Sequence, residues 1–160
     1  MIRLEGLADG AARFLQKEQL AHPEQWAKFV DAFRFPMDET NHGWRGEYWG
    51  KMMRGGALIY AYTQDETLYQ ALEGTVRDLM SAAEADGRVS SYARSGEFDS
   101  WDLWCRKYVL LGSEYFYDVC PDEALKKDLL SFLCRCADYI LLHIGPDKRK
   151  SPLPAAAGTA

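Results

Sequence analysis

Apolar residues recur along most of the chain at the three- and four-residue spacing of α-helices. This pattern predicts six helices, over residues 11–20, 23–33, 46–62, 66–83, 101–119 and 121–143. Turn signals separate them: a turn-rich segment over residues 36–43, the pair Asp86-Gly87, and the pair Gly145-Pro146 after the last helix. The sequence therefore predicts an all-α fold.

The predicted helices differ in how much of their circumference is apolar. The helix over 46–62 has two neighbouring stripes, formed by Tyr48, Met52, Ile59 and Tyr62 and by Trp49, Met53, Gly56 and Tyr60. The helix over 101–119 has two as well, formed by Trp101, Trp104, Tyr108, Leu111 and Tyr115 and by Cys105, Val109, Gly112 and Phe116. The helix over 66–83 has a single stripe opposite a polar face. Helices that alternate between buried and amphipathic indicate an inner and an outer layer.

An internal repeat supports this layering. The segment Tyr60-Ala61-Tyr62, followed by Asp65-Glu66 and Leu68, is echoed by Tyr115-Phe116-Tyr117, followed by Asp122-Glu123 and Leu125. Two helical hairpins with the same turn chemistry are typical of repeat architectures. We therefore expect helical hairpins that form a partial (α/α) toroid over residues 1–147, with 148–160 as a disordered tail. An irregular helical bundle is the alternative.

Composition and charge narrow the classes of partner. The formal net charge of -5, without a basic cluster other than residues 148–150, disfavours nucleic acid. No stretch approaches the ~20 apolar residues of a membrane span, and residues 1–15 lack the apolar core of a secretory signal. The four cysteines have no zinc-finger spacing. We therefore expect a cytoplasmic protein, with no nucleic acid or membrane partner and no metal site in this chain.

The candidate binding residues lie where the two buried helices begin. If both helices begin on one face of the molecule, their unpaired backbone N–H groups and first side chains meet there. Aromatic rings beside carboxylates and arginines are suited to a sugar, whose apolar ring face packs on an indole while its hydroxyls need polar partners. The substrate-binding residues predicted from these helix starts are Trp44, Arg45, Glu47, Asp99, Trp101, Asp102 and Arg106. The alternative interpretation is purely structural: these residues start the helices or pack in the core and bind no ligand.

No catalytic residue follows from the pattern. Paired carboxylates can hydrolyse glycosides, but their separation in space decides this and the sequence does not supply it. Cys105 precedes Arg106, which lowers a thiol pKa when the two groups meet, yet a small buried core residue is the more common role.

Several motifs carry a resemblance to a known family. They are residues 44–51 (WRGEYWGK), 61–65 (AYTQD), 86–91 (DGRVSS), 99–104 (DSWDLW) and 137–140 (ADYI). Together they resemble glycoside hydrolase family 127, which contains the β-L-arabinofuranosidases, over about residues 25–147. After Pro146 we find no further likeness.

The resemblance implies an (α/α) toroid as catalytic domain, β-sandwich domains after it, and a retaining mechanism. In characterised members a cysteine nucleophile is held at a zinc ion by further cysteines and a glutamate. Those residues belong to later hairpins of the family, so none is assigned to the cysteines of this chain. Zinc is expected in full-length relatives only.

One position departs from the family pattern. A histidine often lines the sugar site of the family in the segment after Asp102, where this sequence has Tyr108, so the resemblance adds Tyr108 to the predicted substrate-binding residues. This departure disfavours an arabinofuranoside preference and leaves the wider prediction of a sugar hydrolase in place. We expect a truncated N-terminal fragment that contributes part of a sugar pocket, lacks the catalytic centre, and self-associates through exposed inner-helix surface.

Two functions of other classes are alternatives. One is a self-contained helical module that binds a peptide or a partner protein with its aromatic face. The other is a complete small enzyme that uses Glu47 and Asp102 as acid and base.

Overall fold

The structure is a computed structural model that describes residues 3–36 and 43–148, with the backbone alone for Gly43 and Trp44. Within these ranges six α-helices occur: α1 Gly6–Leu15, α2 Pro23–Arg34, α3 Glu47–Thr63, α4 Glu66–Ser81, α5 Asp102–Val119 and α6 Glu123–His143. Shorter helical turns span Gln16–Leu20, Gly43–Gly46 and Arg94–Gly96. No β-strand occurs in the same ranges, so the prediction of an all-α fold is confirmed.

Of these helices, α2 to α6 begin and end within two residues of the predicted bounds. The prediction for α1 was wrong at its start, because the helix begins at Gly6 and not at position 11. Its early turns are stabilised from a distance: the Tyr62 hydroxyl donates a 2.6 Å hydrogen bond to Asp9, which also accepts from Arg13. Most of the turn-rich segment over 36–43 and nearly all of the predicted tail lie outside the described residues.

The most extensive helix contact joins α3 and α5, which run parallel. Glu47 lies beside Trp104 at one end, and Arg54 lies over the ring of Tyr115 farther along. Glycine permits the close approach. A Cβ atom at Gly50 would lie 1.9 Å from a backbone oxygen of α5, and one at Gly112 would lie 2.7 Å from a backbone oxygen of α3. The two backbones therefore touch with no side chain between them.

The outer helices run antiparallel to the inner ones. On the first hairpin, the Trp49 indole of α3 donates a 2.9 Å hydrogen bond to Thr75 of α4. On the second, the Arg106 guanidinium of α5 lies 5.3 Å from the ring centre of Tyr139 of α6. The outer helix α2 runs parallel to α4, where Arg34 pairs with Asp78. This is an arrangement of two layers, and closure into a toroid stays a prediction.

The internal repeat has a structural counterpart. Asp65 caps α4 by accepting a hydrogen bond from the Leu68 amide at 2.8 Å, and Asp122 caps α6 in the same way from the Leu125 amide at 3.1 Å. Both leucines are fully buried. The two turns differ in detail, since Gln64 adopts a left-handed conformation with φ of 53° before the first cap. The two hairpins therefore share an aspartate cap and a buried leucine three residues after it.

The core lies between the two layers. Its largest fully buried side chains include Trp26, Trp49, Met53, Leu68, Leu72, Phe116, Leu125, Leu129 and Phe132. The inner helix α3 is less enclosed than its apolar pattern predicts, because Leu58 is half exposed and Tyr48 lies at the surface. In the described ranges, no helix combines the length and apolar character needed to cross a membrane.

Candidate functional site

The segment between α4 and α5 is held by a buried ionic network. Glu97 accepts hydrogen bonds from Arg88 at 2.6 Å, from Arg106 at 2.5 Å and from the Tyr139 hydroxyl at 3.1 Å. Burial raises the pKa of Glu97, but the hydrogen bonds and charges of the two arginines lower it by more, so that the net pKa is lowered. The carboxylate is therefore held ionised inside the protein.

Asp102 and Arg106, both predicted to bind substrate, belong to this interior. Asp102 is 0% exposed and accepts hydrogen bonds from the Ser90 hydroxyl at 2.6 Å, the Phe98 amide at 2.8 Å and Arg106 at 3.0 Å. Arg106 is 4% exposed. Their polar atoms are engaged with the segment that leads into α5, and this fixes where that helix begins.

A row of three aromatic rings lies on the solvent-facing side of the first turns of α5. The ring centres of Trp101 and Trp104 are 5.9 Å apart, and those of Trp104 and Tyr108 are 5.3 Å apart. Both pairs meet edge to face. Positions three, four and seven apart share one side of a helix, so the three rings form a continuous strip. Trp101 is 46% exposed, and the other two are partly buried.

Glu47 is positioned against this row from the start of α3. One carboxylate oxygen accepts a hydrogen bond from the Trp104 indole, and the other lies 2.8 Å from the Lys51 ammonium. The hydrogen bond with Glu47 raises the pKa of Lys51. Because α3 and α5 are parallel, the beginnings of both helices lie at this end of the molecule. A carboxylate, an ammonium group and three aromatic rings therefore meet on one surface.

The structure brings three of the predicted residues together here: Glu47, Trp101 and Tyr108. Arg45 lies elsewhere, in a groove between α2 and α3 that has a volume of about 420 Å³ and is also lined by Phe29 and Tyr48. Asp99 is partly buried in the loop, where its carbonyl accepts the Asp102 amide at 3.1 Å. The side chain of Trp44 lies outside the described residues.

Sequence reasoning missed three residues of this surface: Lys51, Trp104 and Lys107. The Lys107 ammonium lies 3.6 Å from the ring centre of Trp104 and 3.8 Å from that of Tyr108. A signal for Trp104 was present, since it shares an apolar stripe with Trp101 and Tyr108. The same stripe also predicts a buried core position, which is how Trp104 was interpreted, and the structure leaves this side chain partly buried.

Cys105 and Cys136 are poorly suited to form a thiolate, and the described part of the chain offers no metal site. Burial raises the pKa of Cys105 and of Cys136 to about 12. Among the described residues no group of three or more His, Cys, Asp or Glu side chains could hold a metal ion. These residues therefore do not fit the zinc centre that the resemblance implies for relatives, and no step through zinc is assigned to them.

Comparison of the sequence with known protein families identifies one family. The family model described as beta-L-arabinofuranosidase, GH127 catalytic domain, matches residues 8–158. The match extends past both ends of the range, about 25–147, over which the motifs carry the resemblance, and it corrects the expectation that the likeness stops after Pro146. Neither the search of curated proteins nor the search of solved structures gave a match.

Proposed function

Since the chain belongs to glycoside hydrolase family 127, the β-L-arabinofuranosidase family, we propose that it forms one wall of a carbohydrate-binding site. The wall consists of Glu47, Trp101, Trp104 and Tyr108, and we refer to these four residues as the aromatic wall. The observation that carries the proposal is the contact of the Glu47 carboxylate with the Trp104 indole within a row of three rings.

The chemistry of the aromatic wall is complementary to a sugar. An indole face packs against the C–H groups of a sugar ring and removes apolar surface from water. A carboxylate beside it accepts hydrogen bonds from ring hydroxyls, and such charge-assisted bonds are the stronger kind. Trp101, with nearly half its surface exposed, is available for stacking. Glu47 keeps 13% of its side chain exposed and supplies the acceptor.

The buried residues have a supporting role in this proposal. Asp102 follows Trp101 directly and is tied to Ser90, Phe98 and Arg106. Rigid side chains that are held by buried hydrogen bonds make a more precise site than mobile ones. Asp102 and Arg106 thus act on the sugar through the position of Trp101. Asp99 contributes through the loop that precedes Trp101, and Arg45 and Trp44 are included on the sequence argument alone.

The aromatic wall binds sugar and does not itself cleave it. A retaining mechanism requires a nucleophile and an acid close to the glycosidic bond. Cys105 is buried with a pKa of about 12, which disfavours the thiolate that a cysteine nucleophile needs. In this proposal the hairpins belong to a larger (α/α) toroid that brings the catalytic groups. The protein works in the cytoplasm, where its four cysteines stay as free thiols.

The test is direct binding of sugars to the purified chain. Isothermal titration with methyl glycosides, both pentofuranosides and hexopyranosides, is expected to show binding of at least one of them. Trp104→Ala and Trp101→Ala should each weaken that binding about tenfold or more, since each removes a stacking ring. Incubation with aryl glycosides, with and without zinc, is expected to release no phenol.

Phe14→Ala is the matched control, because it removes an exposed aromatic ring from α1 and should leave sugar affinity unchanged. Circular dichroism melting of each variant separates loss of binding from loss of fold. If Trp104→Ala, Trp101→Ala and Phe14→Ala weakened sugar binding equally, the aromatic wall would not be the binding site. A chain that binds no glycoside but captures a peptide with the same surface would support the interaction module.

A further inference from the structure

We infer that the sugar recognised by the aromatic wall is acidic and carries a carboxylate, as in a uronic acid. The inference rests on the proposed sugar-binding function and names its substrate class. It comes from a group of cations, Lys51, Arg54 and Lys107, that surround the rings of α5 on the same surface. We call this group the cationic rim.

Two ammonium groups approach the same ring. The Lys107 nitrogen lies 3.8 Å from the ring centre of Tyr108, and the Lys51 nitrogen lies 4.9 Å from it. Both lysines are exposed. Lys51 is also paired with Glu47 at 2.8 Å, so among the residues that the structure describes a sugar beside Trp104 and Tyr108 meets the Lys107 ammonium as the free cation. A neutral sugar offers this cation only hydroxyl oxygens, whereas a carboxylate on the ring accepts a stronger, charge-assisted hydrogen bond from it.

Arg54 continues the cationic rim one turn farther along α3. Its guanidinium lies 5.5 Å from the ring centre of Tyr115, and the residue is exposed. Positions 47, 51 and 54 follow helical spacing on α3, and they run beside 104, 108 and 115 on the parallel helix α5. Lys51 and Arg54 thus approach the rings from α3, and Lys107 approaches them from α5 itself.

Among the described residues, the carboxylates nearby compensate the charge of Lys51 but not that of Lys107 or Arg54. Glu47 is already paired with Lys51 and with the Trp104 indole. In the described ranges no carboxylate lies within 4.0 Å of Lys107 or Arg54. Glu114 is exposed and shares a shallow groove with Lys107, two turns farther along the helix. The chain as a whole is acidic, with a formal net charge of -5, so a local excess of cations is a specific feature.

Packing alone is the competing explanation. Lysine stems lie against aromatic rings in many proteins, and cation–π contacts at exposed sites contribute only about 0.5–1 kcal/mol. In that case the cationic rim would leave sugar preference unchanged. The two explanations differ in one measurable quantity, which is the ratio of affinities for two sugars that differ only in the acidic group.

The experiment compares such a pair by isothermal titration: methyl galacturonide against methyl galactoside, and methyl glucuronide against methyl glucoside. At low salt we expect at least one uronide to bind fivefold or more tightly than its neutral partner. At 0.5 M NaCl the ratio should fall towards one, because salt screens exposed charges. Lys107→Met keeps an apolar chain over the rings and should weaken binding of the uronide more than binding of the neutral sugar, so that the ratio falls several-fold.

Lys28→Met is the matched control, since this lysine lies in the groove between α2 and α3, away from α5. Equal affinities within both pairs would overturn the inference and leave the proposed function standing, provided that Trp104→Ala weakens both. Absence of binding to every glycoside would overturn both. A methyl glycoside sulfate that binds where neither uronide does would also overturn the assignment of a carboxylate.

Discussion

Glu97 joins side chains that are distant in sequence, since it accepts hydrogen bonds from Arg88, Arg106 and Tyr139. Ions removed from water lose a large hydration energy, and several good hydrogen bonds are needed to offset that loss. Here the carboxylate has two guanidinium groups and one phenol. The network therefore holds the segment that carries Trp101 in one position, provided that Glu97 stays charged.

We predict that this network loses its stabilising effect in acid. The pKa of Glu97 is lowered in the folded protein, so its contribution is fully present above the unfolded value, about 4.3, and is lost as the pH falls through the folded value. Glu97→Gln should lower the free energy of unfolding by about 2 kcal/mol at pH 7, because it removes the carboxylate that Arg88 and Arg106 share and leaves each with one carboxylate partner, Glu84 and Asp102 respectively. The difference from the wild type should shrink between pH 5 and pH 3.

Guanidinium-chloride unfolding at several pH values measures this difference. Glu5→Gln is the control. The Glu5 carboxylate is exposed and its ion pair with Arg3 is long, at 3.8 Å, so this variant should be as stable as the wild type at every pH. A deficit of Glu97→Gln that stays constant from pH 7 to pH 3 would show that its carboxylate charge is not what stabilises the network.

At the scale of helices, glycine spacing determines how α3 and α5 meet. Gly50 and Gly112 face each other across the pair, and each would place a Cβ atom against the backbone of the partner helix. Because both residues lie inside helices, the usual helix propensity favours alanine there by about 1 kcal/mol. The close approach of the two backbones outweighs this preference. It also aligns the starts of α3 and α5, and the aromatic wall depends on that alignment.

We predict that Gly50→Ala destabilises the protein by about 2 kcal/mol or more, since an added methyl group would lie 1.9 Å from the Tyr108 carbonyl oxygen and force the helices apart. Thermal and denaturant unfolding measure the effect. Gly55→Ala, on the same helix with nothing within 4 Å of the added Cβ, is expected to stabilise by up to about 1 kcal/mol. Similar effects of the two substitutions would contradict the close packing.

At the scale of the whole molecule, the outer side of α5 and α6 is an apolar flank. A groove of about 530 Å³ runs between these helices, lined by Leu110, Tyr117, Leu130, Leu133, Cys134 and Ala137 with Glu114 and Asp118. Leu130 is 50% exposed, and at the end of α6 Leu141 is 64% exposed. Exposed apolar patches of this kind favour association.

We predict that a second copy of the chain covers this flank, with self-association that depends on concentration. Leu130→Glu should shift the molecule towards the monomer, because it places a charge at the centre of the contact. Sedimentation velocity between about 10 and 100 µM of protein is the measurement, on the scale at which weak dimers dissociate. Leu7→Glu, at an exposed position of α1, is the control and should associate as the wild type does. A wild-type monomer throughout that range would contradict the prediction.

The sequence by itself determined the features that depend on neighbours along the chain. Helical periodicity placed α2 to α6 within two residues of their bounds, and the repeated Asp-Glu pairs marked the two turns in which the structure shows Asp65 and Asp122 as caps. The stripe that contains Trp101 and Tyr108 was visible too. These signals are readable because helix geometry and capping are local.

Only the tertiary structure decided which polar residues meet solvent. Asp102 and Arg106, like Glu47, are charged residues near the start of a buried helix. Inside the protein, however, Asp102 accepts hydrogen bonds from Ser90 and the Phe98 amide, and Arg106 donates one to Glu97. The early start of α1 likewise depends on Tyr62, and Lys51 and Lys107 meet over Tyr108 only because α3 and α5 are parallel. Burial and charge balance depend on partners far along the chain, and periodicity carries no information about those partners.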